Sequence, residues 1–189
     1  MMQAKRLVFS AVKKVEWETF TLPDTVAPSE ILVQAEYSLI SPGTELAIFT
    51  GSHIGFTMEK PPFPLIPSNP GYALVGRVLE AGEKIAPYYK GKRVLVEAPH
   101  GTYALVEVRR NPPVLLPETL DPKVAPLIRM AKIGITALRI APPQLGEGAL
   151  IFGLGLVGLL CAQLYRLSGA KPVGGTDRIP SRLTLAKKF

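Results

Sequence analysis

Six residues from Gly153 to Gly158 carry the most specific chemistry in the chain. Gly153-Leu154-Gly155-Leu156-Val157-Gly158 is a G-x-G-x-x-G run. The apolar stretch Ala149 to Phe152 precedes it. LLCAQLYRLSGA follows, with Leu160, Leu164 and Leu167 on one helical face and Gly169 as the stop. A strand, a glycine turn and a helix in that order form a dinucleotide cradle. Gly153 permits the tight turn, Gly155 lets the backbone approach a pyrophosphate, and Gly158 lets the helix pack on its strand. Leu156 and Val157 open the helix, whose free N–H groups and positive dipole end face the phosphates. A second strand, KPVGGT, ends at Asp177, 24 residues after Gly153. There the acid is placed to accept hydrogen bonds from the adenine-side ribose hydroxyls, or alternatively to cap a helix ahead of Pro180. The acid favours NAD over NADP, while Arg178 beside it could meet a 2′-phosphate.

Other reactive side chains are sparse. Cys161 is the sole cysteine, so internal disulfides and multi-thiolate zinc sites are excluded. It falls mid-helix beside Leu160 and Ala162 and reads as core, and its solitude fits a reducing compartment such as the cytoplasm. His53 and His100 stand in separate Gly-flanked loops with no paired acid. They read as surface or loop-packing residues, not as metal ligands.

The elements that must position these groups come in two styles. From residue 4 to about 118, β-branched and aromatic runs (RLVF, VEWETFTL, ILVQAEYSLI, ALVGRVLEAG, KRVLVEA, TYALVEV, VLLP) alternate with turns such as Pro23-Asp24 and Ser41-Pro42-Gly43. Such runs predict a sandwich or small barrel. Nineteen of the 189 residues are proline, and only Pro172 and Pro180 lie after residue 143, which puts the prolines in the loops and edges of the strand-rich half. EKPPFPLIPSNPG is the densest of these loops. Asp121-Pro122 opens a predicted helix over 121–141, with Val124, Leu127, Ile128, Ala131, Ile135 and Leu138 at helical spacing. APPQLGEG then marks a boundary, dividing the chain into residues 1–143 and 144–189.

Bulk composition narrows the partners. Apolar residues make up 47% of the chain, enough for a real core. The net charge of +7 is scattered through Lys13-Lys14, Lys90 to Arg93, Arg109-Arg110 and Lys187-Lys188. Nucleic-acid modules concentrate such charge on one face, so neither DNA nor RNA is expected as a partner. The uncharged stretch from Gly148 to Tyr165 is of bare membrane-spanning length, but the glycine turn interrupts it. A soluble protein is expected.

In this order of parts the chain resembles the medium-chain dehydrogenase/reductase superfamily, the zinc-type alcohol and threonine dehydrogenase relatives, over essentially its whole length. The resemblance implies a mixed α and β fold: a GroES-like β-barrel domain followed by the start of a Rossmann, doubly wound domain. It also implies NAD or NADP as cofactor, hydride transfer to or from a small-molecule alcohol or carbonyl, and a homo-oligomer.

The zinc members carry C-G-T-D after the third strand, where this chain has Pro42-Gly43-Thr44-Glu45. The relay hydroxyl and the acid persist while the metal thiolate is replaced by proline. Their G-H-E-x-x-G-x-V corresponds to Gly71-Tyr72-Ala73-Leu74-Val75-Gly76-Arg77-Val78, so Tyr72 replaces the histidine and Ala73 the glutamate. The third-ligand region falls near Ile128 and Arg129, and the four-cysteine structural loop shrinks to Leu95 to His100. No zinc is therefore expected. Thr44 and Tyr72 become candidates to polarise a carbonyl, with Arg129 or Lys132 adding positive charge. Tyr72 is alternatively a barrel residue filling the vacated pocket, and Glu45 a cap on the helix LAIFTG. The family length implies that this is the N-terminal part of a longer enzyme, inactive alone. A quinone or enone reductase, and a non-catalytic descendant that binds nucleotide or protein, stay open as alternatives.

Overall fold

The computed structural model describes residues 2–189. Two compact units divide between Pro126 and Leu127.

The first unit opens with an antiparallel hairpin, β1 (Gln3–Ala11) and β2 (Lys14–Thr21). Five strands then form an antiparallel sheet: β3 (Glu30–Ser38), β4 (Leu74–Ala81), β5 (Arg93–Val96), β6 (Tyr103–Glu107) and β7 (Val114–Leu115), in the order β6-β3-β4-β5-β7. Alternation along the central strands feeds two faces. Leu74, Val78, Val94 and Val96 join Ile31, Val33 and Val106 in one cluster, while Val75 and Leu95 meet Leu116 and Ala125 in another. Each such buried side chain contributes on the order of 1.5–3 kcal/mol. Among the described residues the hairpin pairs with the rest of this unit at the isolated bridges Arg6↔Gly101 and Phe9↔Ser68 and not along a continuous ladder, while Ala4 packs with Leu32 and Phe9 with Ile48 and Leu65. The proline-rich stretch between β3 and β4 holds α1 (Thr44–Thr50) and a short 3-10 turn, Ile54–Thr57. A brief α2 (Ala86–Tyr89) follows β4.

The second unit contains α3 (Leu127–Ile140), β8 (Ala149–Phe152), α4 (Leu156–Leu167), β9 (Val173–Thr176) and α5 (Pro180–Ala186). β8 and β9 pair in parallel from Ala149↔Val173 to Phe152↔Thr176, and α4 is their crossover. Gly134 of α3 lets Cys161 and Leu164 of α4 approach, and the Tyr165 hydroxyl donates to the Ala141 carbonyl at 2.9 Å. The uncharged stretch from Gly148 to Tyr165 is thus shared among strand, turn and helix. No helix among the described residues is long and apolar enough to cross a membrane.

Two boundaries differ from the sequence reading. The helix predicted over 121–141 begins at Leu127. Asp121 instead builds a turn, its carboxylate accepting from Lys123 N–H at 2.9 Å and its carbonyl from Val124 and Ala125. Pro126, which has no N–H to donate, separates that turn from α3. Because α3 packs on α4, compactness groups it with the second unit, where the sequence reading joined it to residues 1–143.

Candidate functional site

The glycine turn is built as a cradle. Gly153 has φ 90°, a left-handed conformation that a side chain would strain. Its N–H donates to the Thr176 carbonyl at 2.8 Å, tying the turn to the end of β9. Gly155 caps α4 over open space, where a Cβ would meet only the tip of Arg182 at 4.0 Å. A Cβ on Gly158 would overlap the Gly153 carbonyl oxygen, so this position admits no side chain while helix and strand keep their spacing. Leu156 and Val157 form the first turn of α4.

Asp177 closes the cradle. Its Oδ2 accepts from Leu154 N–H inside the glycine turn at 2.8 Å and from Arg182 Nη1 at 3.2 Å, and its Oδ1 accepts from Ile179 N–H at 2.8 Å. The N–H of Ile179, then that of Leu154 and the Arg182 guanidinium, hold its carboxyl below the usual carboxylate range. The helix cap of α5 is Ile179, so Asp177 braces the approach to that helix without being its cap residue. Phe152, Gly153, Thr176, Asp177, Arg178 and Arg182 line a groove of about 410 Å³. Arg178 is among these lining residues. Arg182 was missed, although its position five residues past Asp177, in the first turn of α5, could have signalled it. The open Gly155, the helix N-terminus and the acid fit a dinucleotide.

In the first unit, Thr44 is exposed at the start of α1 and Tyr72 is half-buried at a bend before β4. Arg129 is half-buried on α3 in the second unit. The segments that carry Thr44 and Tyr72 are tied together through a neighbour of each. Glu45, next to Thr44, accepts from His100: Oε2 lies 2.7 Å from Nε2. Gly71, next to Tyr72, lies so close that a Cβ there would stand 2.5 Å from the His100 backbone nitrogen, and the Pro70 carbonyl accepts that N–H at 2.8 Å.

This corrects the sequence reading of both residues. His100 is not a stray imidazole but is 4% exposed and paired with an acid that is also 4% exposed. Glu45 does not cap α1; its other oxygen accepts from Ser41 N–H at 3.0 Å. His53 keeps the loop-packing role, with Nδ1 accepting from Gly55 N–H at 3.0 Å. Cys161 is half-buried on α4 with its Sγ 3.9 Å from the Gly134 carbonyl oxygen. Burial pushes its thiol up, against the thiolate a nucleophile needs.

The donor set does not suit zinc. Pro42, Tyr72, Ala73, Ile128 and Arg129 occupy the positions at which the resemblance implies ligands. Among the described residues, no group of three or more His, Cys, Asp or Glu side chains is placed to hold a metal ion.

No family model matches the chain. It is 24% identical to the D-xylulose reductase of Scheffersomyces stipitis, over 96% of this chain and 58% of that protein. It is 26% identical to the (R,R)-butanediol dehydrogenase of Bacillus subtilis, over 94% of this chain and 59% of that one. A Sinorhizobium meliloti 1021 protein, assigned as a zinc-binding dehydrogenase and solved with NADP bound, superposes with a TM-score of 0.81. It shares 22% identity and is matched over 100% of this chain and 60% of its own. These likenesses support the resemblance to the medium-chain dehydrogenase/reductase superfamily, and the solved structures share its fold. Its first unit corresponds to the GroES-like domain and its glycine turn to the start of the Rossmann domain of that superfamily. The chain spans about three fifths of the length of these medium-chain relatives.

Proposed function

We propose that this chain forms part of a zinc-independent, NAD(P)-linked oxidoreductase acting on a small alcohol/carbonyl pair. The observation that carries the reading is the hydrogen bond from Leu154 N–H to Asp177. It joins the glycine turn to the acid at the end of the next strand, the two parts that would hold pyrophosphate and ribose. Gly153, Gly155, Leu156, Val157 and Gly158 would hold the pyrophosphate, and Asp177 the ribose hydroxyls. Arg178 leaves room for NADP beside the NAD that the acid favours. The nicotinamide, when bound, supplies or accepts the hydride. Thr44 and Tyr72 donate hydrogen bonds to the oxygen that gains charge, and Arg129 adds positive charge, the work that a metal does in zinc enzymes. The named relatives are a D-xylulose reductase and an (R,R)-butanediol dehydrogenase, which supports an alcohol/carbonyl substrate. We place the protein in the reducing cytoplasm as a homo-oligomer.

Fluorescence titration with NADH and NADPH tests the reading. Saturable binding is expected for the chain, with loss of at least about tenfold in affinity for Gly158→Ala, because misplacing the cradle forfeits charge-assisted N–H contacts of roughly 1.5–3 kcal/mol. Absence of binding for both nucleotides would sink it.

A further inference from the structure

The dinucleotide reading leaves unused a chain of three side chains in the first unit. Ser38 Oγ lies 2.8 Å from Nδ1 of His100, and His100 Nε2 lies 2.7 Å from Glu45 Oε2. The imidazole and carboxylate side chains are each 5% exposed, whereas Ser38 is exposed at the end of β3. We infer that Ser38 is a base-activated nucleophile, presented to a groove that accepts a small carboxylic ester.

Hydrogen-bond accounting sets the polarity. Glu45 takes the Ser41 N–H on one oxygen; as a carboxylate it accepts on the other as well, which assigns the ring hydrogen of His100 to Nε2. Nδ1 then carries the lone pair, and the Ser38 hydroxyl donates to it. A nucleophile bonded to a base, with the base oriented by a third group, is the signature of an activated hydroxyl, and it is defined by roles, not by sequence order. Here the two ring nitrogens exchange their usual partners. The groove holds about 470 Å³ and is lined by Lys5, Gln34, Tyr37, Ser38, Thr102 and Tyr103. Its walls are polar and carry Lys5, a positive charge of the kind an oxyanion seeks, beside Glu36, whose carboxylate is paired with Arg93 at 2.8 Å. Thr102 cannot serve as that donor, because its hydroxyl is committed to the Lys5 backbone. Locking the Ser41–Glu45 loop to Pro70–Gly71 explains why His100 is buried against Glu45. It does not require a serine hydroxyl on the remaining ring nitrogen beside a groove.

The step balances without any further reagent. Ser38 Oγ bonds to the ester carbonyl carbon as its proton passes to His100 Nδ1, and Glu45 steadies the imidazolium through Nε2. The carbon–alkoxy bond then breaks and the leaving alcohol takes that proton. Water attacks the acyl-serine by the same route, releasing the acid and restoring Ser38.

A fluorophosphonate probe, read by intact mass and peptide mapping of the full chain, tests this. One label on Ser38 is expected, and none in Ser38→Ala. Labelling should slow by about 10²-fold or more in His100→Gln and Glu45→Gln, the contribution of a general base, with partial recovery in Glu45→Asp. p-Nitrophenyl acetate should give a burst of nitrophenol that Ser38→Ala lacks. No label on the wild-type chain, label on another residue, or an unchanged rate in folded His100→Gln would each overturn the inference. If His100→Gln fails to fold by circular dichroism, Ser38→Cys decides. Its alkylation by iodoacetamide at pH 7 should outpace that of a free cysteine peptide by about tenfold or more, and an equal rate counts against the relay.

Discussion

Asp177 shows how much work one carboxylate does in the second unit. It holds three donors from three places: the glycine turn, the approach to α5, and α5 itself. Its carboxyl titrates below the usual range because these donors favour the charged form, the backbone N–H of Ile179 first. A depressed folded-state value means that the stabilisation is complete above the unfolded value, about 3.9, and is lost as pH falls through the lower folded value. Asp177→Asn is therefore expected to melt below the wild-type chain at pH 7. The gap should stay nearly constant down to about pH 5 and close well below pH 4. Melting curves at pH 7, 5 and 3 check this, and a gap that persists undiminished at pH 3 would contradict it. The place of this acid, just past β9 and against the glycine turn, was legible in the sequence because a local strand-turn-helix-strand register fixes it. The Glu45–His100 pair was not. Its members lie 55 positions apart, in loops with no periodicity, and only the meeting of β3, α1 and the β5–β6 loop joins them.

Elements were legible where the signal was local and periodic. The β-rich half, the prolines in its loops and the α4 crossover all follow from runs of apolar residues punctuated by Gly and Pro. The start of α3 did not, since Asp121-Pro122 makes a turn as well as it makes a helix cap, and Pro126 decides between them only in the folded chain. Gly71 tests how tightly the segment before β4 is docked. Its φ of 110° disfavours any side chain, and a Cβ would stand 2.5 Å from the His100 backbone nitrogen. Gly91 also has positive φ, 76°, but a Cβ there meets nothing within 4 Å. Gly91→Ala should thus cost only the left-handed strain, about 1–2 kcal/mol. Gly71→Ala should cost at least about 1 kcal/mol more, because the overpacking penalty is added. Urea midpoints of the two variants give the comparison, and equal losses would show that His100 yields freely.

At the scale of the whole molecule, the decisive question is whether this chain, whose fold matches that of a protein assigned as a zinc-binding dehydrogenase, holds a metal. The donor supply argues against it. The chain has one cysteine and two histidines. The cysteine lies on α4 against the Gly134 carbonyl, His53 is committed to Gly55 N–H, and both ring nitrogens of His100 are taken by Ser38 and Glu45. A tetrahedral site would have to break one of these pairings and recruit ligands from residues that face elsewhere. Binding to the native state alone would also raise stability by mass action, so a resident ion would betray itself in the melting temperature. Plasma emission on the dialysed chain should find zinc far below one equivalent, and a chelator should leave the melting temperature unchanged. Stoichiometric zinc whose removal lowers the melting temperature would refute the zinc-independent reading. The nicotinamide reading would survive, since Gly153, Gly158 and Asp177 owe nothing to a metal.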